Sequence, residues 1–206
     1  MSLPWCEPTV MDQLASSAWC AGHNEPYQTT LAGARDELNA RHAAGELQRA
    51  GIARGQGRRV DDDQRRDLLT WIDPASTRGC LAALVADFEE LRTTLNRELY
   101  AGVRRFELQA AFYAGDGSFY RRHLDAFAHS SERVVTAIVY LNPDWVPAHG
   151  GQLRLWDPNG DAHEIAPALG NWVVFMSQQV PHEVLPSFAP RWALTAWFRT
   201  DAGSIG

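Results

Sequence analysis

The spacing of apolar side chains changes period once along this chain, near residue 105. From Thr9 to Cys20 the residues Val10, Met11, Leu14, Ala15, Ala18 and Trp19 recur every three or four positions, with Thr9 placed to cap the first turn, which predicts a short amphipathic helix. A second helix begins near Thr29 or Thr30 and carries Leu31, Ala34, Leu38 and His42 on one stripe, fading through Ala43-Ala44-Gly45. The strongest helical pattern lies between Arg78 and Leu99, where Leu81, Leu84, Val85, Phe88, Leu91, Leu95 and Leu99 form one apolar face that needs a sheet to cover it.

Beyond Arg105 the period becomes two. Phe106, Leu108, Ala110 and Phe112 alternate with Glu107, Gln109, Ala111 and Tyr113, ahead of a Gly115-Asp116-Gly117 turn. Further strands are predicted at Phe119 to Asp125, Val134 to Leu141, Gln152 to Trp156, His163 to Ile165, Trp172 to Met176, His182 to Leu185 and Trp192 to Arg199, and Leu68 to Ile72 forms an earlier one. Asn142-Pro143, Gly150-Gly151, Pro158-Asn159-Gly160, Pro181 and Pro190 separate them. Many short strands with Gly/Pro turns predict an α+β but mainly β fold, a jelly roll with helices packed on one sheet.

Between Gly51 and Arg66 the pattern lapses into glycines, arginines and aspartates with almost nothing apolar, which predicts a long polar connection. Loops of that length inside a compact domain often act as lids or binding loops. The chain of 206 residues suits one catalytic domain over 1–206, with a helical part to about residue 100, a mobile loop at about 51–67 and a jelly-roll core over 101–200.

Composition narrows the function classes. A hydrophobic share of 45% with 21% charge is ordinary for a globular protein, and no apolar run suits a membrane span. A net charge of -6 argues against nucleic acid as partner. The N-terminus has neither a basic flank nor an apolar signal core, and three unpatterned cysteines form no disulfide framework, so a cytoplasmic protein is expected.

Three residues stand out chemically. If His123, Asp125 and His182 meet in space, they form a two-histidine, one-carboxylate face, the ligand set of non-haem Fe(II) oxygenases. Side chains at i and i+2 share a face of a strand, so His123 and Asp125 converge, together with Phe119 and Arg121. The same rule groups Gln109 with Tyr113, Ile138 with Tyr140, and Arg191 with Ala193, Thr195, Trp197 and Arg199. A buried Arg191 guanidinium needs a carboxylate and has none nearby on its own strand, so a bound dicarboxylate would satisfy it. Tyr140 and Thr195 are placed to donate to that ligand, with Ile138 and Leu153 against its aliphatic middle. Taken singly, each has an ordinary alternative: a packed histidine, a turn-capping aspartate, an arginine in a surface ion pair.

These residues sit in recognisable motifs. Arg65 to Asp73, Tyr113-Ala114-Gly115-Asp116-Gly117 through His123-Leu124-Asp125, Val139-Tyr140-Leu141-Asn142, Gly150-Gly151-Gln152-Leu153-Arg154-Leu155, Pro181-His182-Glu183-Val184 and Arg191 to Trp197 resemble the Fe(II)- and 2-oxoglutarate-dependent prolyl hydroxylases related to the oxygen-sensing enzymes of hypoxia-inducible factor. The resemblance implies a double-stranded β-helix, O2 and 2-oxoglutarate as cosubstrates, and stimulation by ascorbate. It implies that His123, Asp125 and His182 ligate iron, that Arg191 and Tyr140 hold the distal carboxylate of 2-oxoglutarate, and that Tyr113 bonds near its chelating end. Arg65, Asp67 and the loop before them correspond to a substrate-covering loop, and Arg133 to a substrate-side arginine, although the interval from His123 to Tyr140 is one residue longer here. Gln109 occupies a position that is apolar in the animal enzymes.

The partner implied is a prolyl residue in a protein or peptide, with elongation factor Tu, the substrate of the bacterial branch, as candidate. Oxidation of a free amino acid or other small molecule, and a non-catalytic metal-binding sensor, are the competing readings. A zinc hydrolase would need a general base, and Glu183, as strand neighbour of His182, faces away.

Overall fold

In the computed structural model, residues 3–51, 61–126 and 132–201 are described. Three helices, α1 (Pro8–Ser17), α2 (Gln28–Ala43) and α3 (Gly79–Leu99), are interleaved with β1 (Trp19–His23), β2 (Gln48–Arg49) and β3 (Leu68–Ile72). After them come β4 (Arg105–Tyr113), β5 (Ser118–His123), β6 (Arg133–Tyr140), β7 (Leu153–Trp156), β8 (Ala162–Ile165), β9 (Asn171–Met176), β10 (His182–Ser187) and β11 (Arg191–Arg199). Among the described residues the strands form a seven-stranded sheet in the order β1-β9-β6-β11-β4-β3-β2 and a four-stranded sheet in the order β5-β10-β7-β8.

Alternation along the central strands separates two cores. Outward-facing Trp192, Leu194, Ala196 and Phe198 of β11, with Leu108 and Ala110 of β4 and Val135, Ala137 and Val139 of β6, pack against Leu81, Leu84, Phe88, Leu91 and Leu95 of α3. Inward-facing Ala193, Ile138 and Tyr140 meet Leu153, Leu155 and Val184 of the smaller sheet. The helices therefore cover one face of the larger sheet, as the apolar stripe of α3 requires, and its other face is turned to the smaller sheet and a cavity between them.

Three expectations are corrected. The first helix stops at Ser17 rather than Cys20, because Ala18 takes a left-handed conformation at φ 64° and its N–H bonds back to Leu14. Trp19 and Cys20 instead enter β1, where Cys20 pairs opposite Val174 and is buried. The predicted strand from Phe119 ends at His123, and Asp125 lies in the bend beyond it. Within β5, His123 stands opposite His182 and Tyr120 opposite Val184, so three residues span what two span on β10. That bulge turns Tyr120 inward with His123, while Arg121 is exposed and Phe119 lies beneath the guanidinium groups of Arg66 and Arg121. Residues 52–60 of the expected polar loop lie outside the described residues. The three cysteines are free, and among the described residues no helix is long and apolar enough to cross a membrane.

Candidate metal centre and its cavity

His123 and His182 face each other across the β5–β10 ladder, and Asp125 reaches back to both. The Nε2 atom of His123 lies 3.6 Å from Oδ1 of Asp125, and that of His182 lies 3.6 Å from Oδ2. One ligand atom from each of the three falls within 4.8 Å of the others. Each imidazole has its tautomer fixed by a backbone carbonyl. His123 Nδ1 lies 2.8 Å from the Arg121 oxygen and His182 Nδ1 3.2 Å from that of Val180. A carbonyl only accepts, so Nδ1 carries the hydrogen and the Nε2 lone pairs point at the common centre.

The charge states suit a cation. Burial, and next the neighbouring His123, push the His182 imidazole down from 6.5 to about 4, against the pull of Asp125. Burial alone would raise the Asp125 carboxyl, but His182, His123 and Arg133 outweigh it and hold it well below the usual carboxylate range. A neutral imidazole and an ionised carboxylate at neutral pH are the forms that bind metal. The rings are held from behind: Tyr120 stacks on His123 at 3.6 Å between centroids, and Phe175 lies 4.7 Å from His182.

The cavity of about 660 Å³ runs from this centre along the inward row of β11. Strand register sets its levels. Arg191 lies opposite Tyr113; Ala193 lies between Ala111 and Tyr140; Thr195 lies between Gln109 and Ile138; Trp197 lies between Glu107 and Thr136. At one end Arg191 is 3% exposed, its Nε donates to the Gly151 carbonyl at 2.7 Å, and no carboxylate among the described residues pairs with it. Its guanidinium lies 4.7 Å from the Tyr113 ring and 5.2 Å from the Tyr140 ring. The Tyr140 hydroxyl is buried without a hydrogen-bond partner among the described residues, and burial pushes it up to about 12, keeping it a donor. An unanswered buried cation beside an unanswered buried donor fits a carboxylate ligand. Ile138, Leu153 and Thr195 line the stretch between that end and the histidines.

The other end opens past Trp71 and Trp197, whose rings are 5.8 Å apart. Arg133 lies over Trp197 at 4.1 Å, reaches Glu107 at 3.3 Å and donates to the main-chain oxygen of Asp125 at 3.3 Å. Arg65 donates two buried hydrogen bonds to the Asp67 carboxylate, at 2.8 and 2.6 Å, and lies 4.1 Å over Tyr120. Arg65 lines the cavity; Asp67 stands behind it and does not. Glu183 faces out and pairs with Arg154 at 3.0 Å. Two neighbours of the centre were missed by sequence reasoning. Regular strand parity gives Tyr120 the face opposite His123, and a bulge has no local signature; Thr136 shares the parity of Ile138 and Tyr140, and its hydroxyl on that face is the signal that could have found it.

Residues 108–199 match the family described as the 2OG-Fe(II) oxygenase superfamily. Human Egl nine homolog 1 is 34% identical over 171 residues, which is 79% of this chain and 39% of that protein. The chain thus spans well under two thirds of that relative. The crystal structure of a Pseudomonas putida prolyl-4-hydroxylase superposes with a TM-score of 0.84 at 36% identity, covering 94% of this chain and 98% of that one. A Trichoplax adhaerens prolyl hydroxylase, solved with a hypoxia-inducible-factor oxygen degradation domain peptide, gives 0.81 at 29% identity, covering 93% and 87%. These structures share the double-stranded β-helix architecture with this chain.

Proposed function

The chain belongs to the 2-oxoglutarate- and Fe(II)-dependent oxygenases, in their prolyl hydroxylase branch, and on that premise we propose that it hydroxylates a prolyl residue of a protein, converting O2 and 2-oxoglutarate to succinate and carbon dioxide. The observation that carries this reading is the pairing, in one cavity, of a three-donor metal face with a buried Arg191 that has no carboxylate partner among the described residues. His123, Asp125 and His182 would hold the metal, and a facial set of three leaves positions for a 2-oxo acid and O2. Bound there, Fe(II) supplies the oxygen activation that no side chain can.

The side chains have separate tasks. Arg191 binds the distal carboxylate, with Tyr140 and Thr195 as donors, and Tyr113, whose ring lies against the guanidinium, bonds near the chelating end. Ile138 and Leu153 exclude water from the aliphatic middle of the cosubstrate. Trp71, Trp197 and Arg133 form the mouth through which a polypeptide reaches the centre, beside Arg65, which Asp67 holds from behind. A cavity of about 660 Å³ exceeds what a five-carbon dicarboxylate fills, which favours a second, larger reactant.

Elongation factor Tu is the candidate substrate carried by the sequence resemblance, in a cytoplasmic setting. The test is incubation with Fe(II), 2-oxoglutarate, ascorbate and proline-containing fragments of elongation factor Tu, reading product mass and succinate. Gain of one oxygen on a prolyl residue, lost in Asp125→Ala, is the expected result. Oxygenation of free proline but of no peptide would move the substrate to a small molecule. Metal binding without succinate would make the protein a sensor.

A further inference from the structure

The ligand Asp125 is held differently from the two histidines. His123 and His182 belong to paired strands, and the ladder between β5 and β10 fixes their spacing. Asp125 lies past the end of β5, where no strand pairing among the described residues reaches it. Its carboxylate is oriented from the opposite sheet. Thr136 Oγ1, on β6, donates to Oδ2 of Asp125 at 2.8 Å, and the same Oγ1 lies 2.8 Å from Oγ of Ser177, in the turn after β9. Both hydroxyl residues are 0% exposed, so solvent has no route to replace either bond. The main chain fixes Ser177 in turn, its N–H donating to the Val134 carbonyl at 2.9 Å.

Counting hydrogens gives this chain a direction. A hydroxyl has one hydrogen to donate and an ionised carboxylate can only accept. The Thr136 hydrogen is spent on Asp125, so the hydrogen between Thr136 and Ser177 belongs to Ser177. A chain in which each donor is itself a filled acceptor is cooperatively strengthened. Threonine at the middle position adds a branched side chain with restricted χ1. The bond to Oδ2 fixes the rotation of a carboxylate whose Oδ1 lies 3.6 Å from His123 Nε2 and whose Oδ2 lies 3.6 Å from His182 Nε2.

We propose that Ser177 and Thr136 are positioning residues of the metal centre, a directed hydroxyl relay from Ser177 through Thr136 to Asp125 that sets metal affinity and ligand geometry without touching the metal or either reactant. The proposal rests on the reading of His123, Asp125 and His182 as a metal site, and its test separates the two. Metal-free protein is titrated with Mn(II) by calorimetry, and the visible spectrum of the Co(II)-loaded protein is recorded. Wild type takes up one Mn(II) that Asp125→Ala does not; failure of that comparison overturns the metal site and the relay with it.

Outer partners of metal ligands govern affinity by about 10- to 100-fold, so Thr136→Val is expected to weaken Mn(II) by that factor and Ser177→Ala by about 3- to 10-fold, both with altered Co(II) bands. Thr136→Ser, which keeps the hydroxyl, is expected to stay within about threefold of wild type. If Thr136→Val does not fold, Ser177→Ala and Thr136→Ser decide the matter. With wild-type binding intact, Ser177→Ala at wild-type affinity and an unchanged Co(II) spectrum overturns the relay alone. So does a variant that loses thermal stability in the metal-free form but binds Mn(II) as wild type does, because that is a packing role.

Discussion

Replacing Tyr140 by phenylalanine should push stability and cosubstrate binding in opposite directions. The Tyr140 hydroxyl is buried in the wall of the inner core with no hydrogen-bond partner among the described residues, 0% of the residue is exposed, and its ring lies 5.2 Å from the Arg191 guanidinium. A buried polar group without a partner costs about 1–3 kcal/mol, so removing it with the ring kept in place is expected to leave the ligand-free protein as stable as before or up to about 2 kcal/mol more stable. A hydrogen bond to a charged group contributes about 1.5–3 kcal/mol, and its loss would weaken 2-oxoglutarate by about 10- to 150-fold. Urea unfolding of the metal-free variant gives the first quantity, and calorimetric titration of 2-oxoglutarate into Mn(II)-loaded protein without oxygen gives the second. Destabilisation by more than about 1 kcal/mol would mean that the hydroxyl has a structural partner. Affinity within about twofold of wild type would refute its role at the distal carboxylate.

Four further changes probe the site and the structure around it. Gly151 has φ 72°, and a Cβ there would come within 2.8 Å of Arg191 Cδ and Ser187 Oγ, so Gly151→Ala is expected to displace Arg191 and raise the KM for 2-oxoglutarate by at least about tenfold, checked by succinate formation. Asp67→Ala strands the buried Arg65 cation and is expected to cost about 3–5 kcal/mol in urea unfolding, whereas replacing both partners with apolar residues should recover most of that loss. Burial pushes the Asp87 carboxyl up from 3.8 to about 6, with Tyr27 opposing. The folded state therefore keeps a proton that the unfolded chain has lost between those values, stability falls as pH rises through that window, and Asp87→Asn should gain up to about 3 kcal/mol at pH 7 that fades toward pH 4 in unfolding titrations. Glu183→Gln removes only an outward ion pair with Arg154 and is expected to leave turnover within about twofold, whereas a hydrolase using Glu183 as general base would lose activity.

How much could be read from sequence depended on how many neighbours a strand has. On β11, hydrogen-bonded on both sides, parity placed Arg191, Ala193, Thr195 and Trp197 on the cavity wall, where they lie. At the end of that row Arg199 leaves the cavity for ion pairs with Glu107, Glu132 and Asp201. On β5, an outer strand of the smaller sheet, parity failed: the bulge against β10 brought Tyr120 to His123 and sent Phe119 and Arg121 outside. The pairing of His123 with Asp125 was right in outcome and wrong in cause, since Asp125 returns to the centre from a bend and not along a strand face. Cys20 and Trp19 extended a helical pattern, and they form a strand because the left-handed turn at Ala18 delivers them to the edge of β9. Ser177 offered no pattern at all, because its partner is 41 positions away in the chain.

Stability and chemistry are thus carried by the two faces of the same strands, and they are linked through register even where they share no contact. Trp192, Leu194, Ala196 and Phe198 fill the core under α3, and the Trp192 ring N–H donates to Asn39 of α2 at 2.9 Å. Between them, pointing the other way, stand Arg191, Ala193, Thr195 and Trp197. A slip of one residue in β11 would drive Arg191 into the outer core and bring Trp192 to the cosubstrate end, at the cost of a buried charge on one side and a lost carboxylate site on the other. The apolar residues that never meet a reactant therefore fix where the guanidinium stands. Loss of outer packing at Trp192 or Phe198 is accordingly a route to weakened 2-oxoglutarate binding through strand position, with every cavity residue still present.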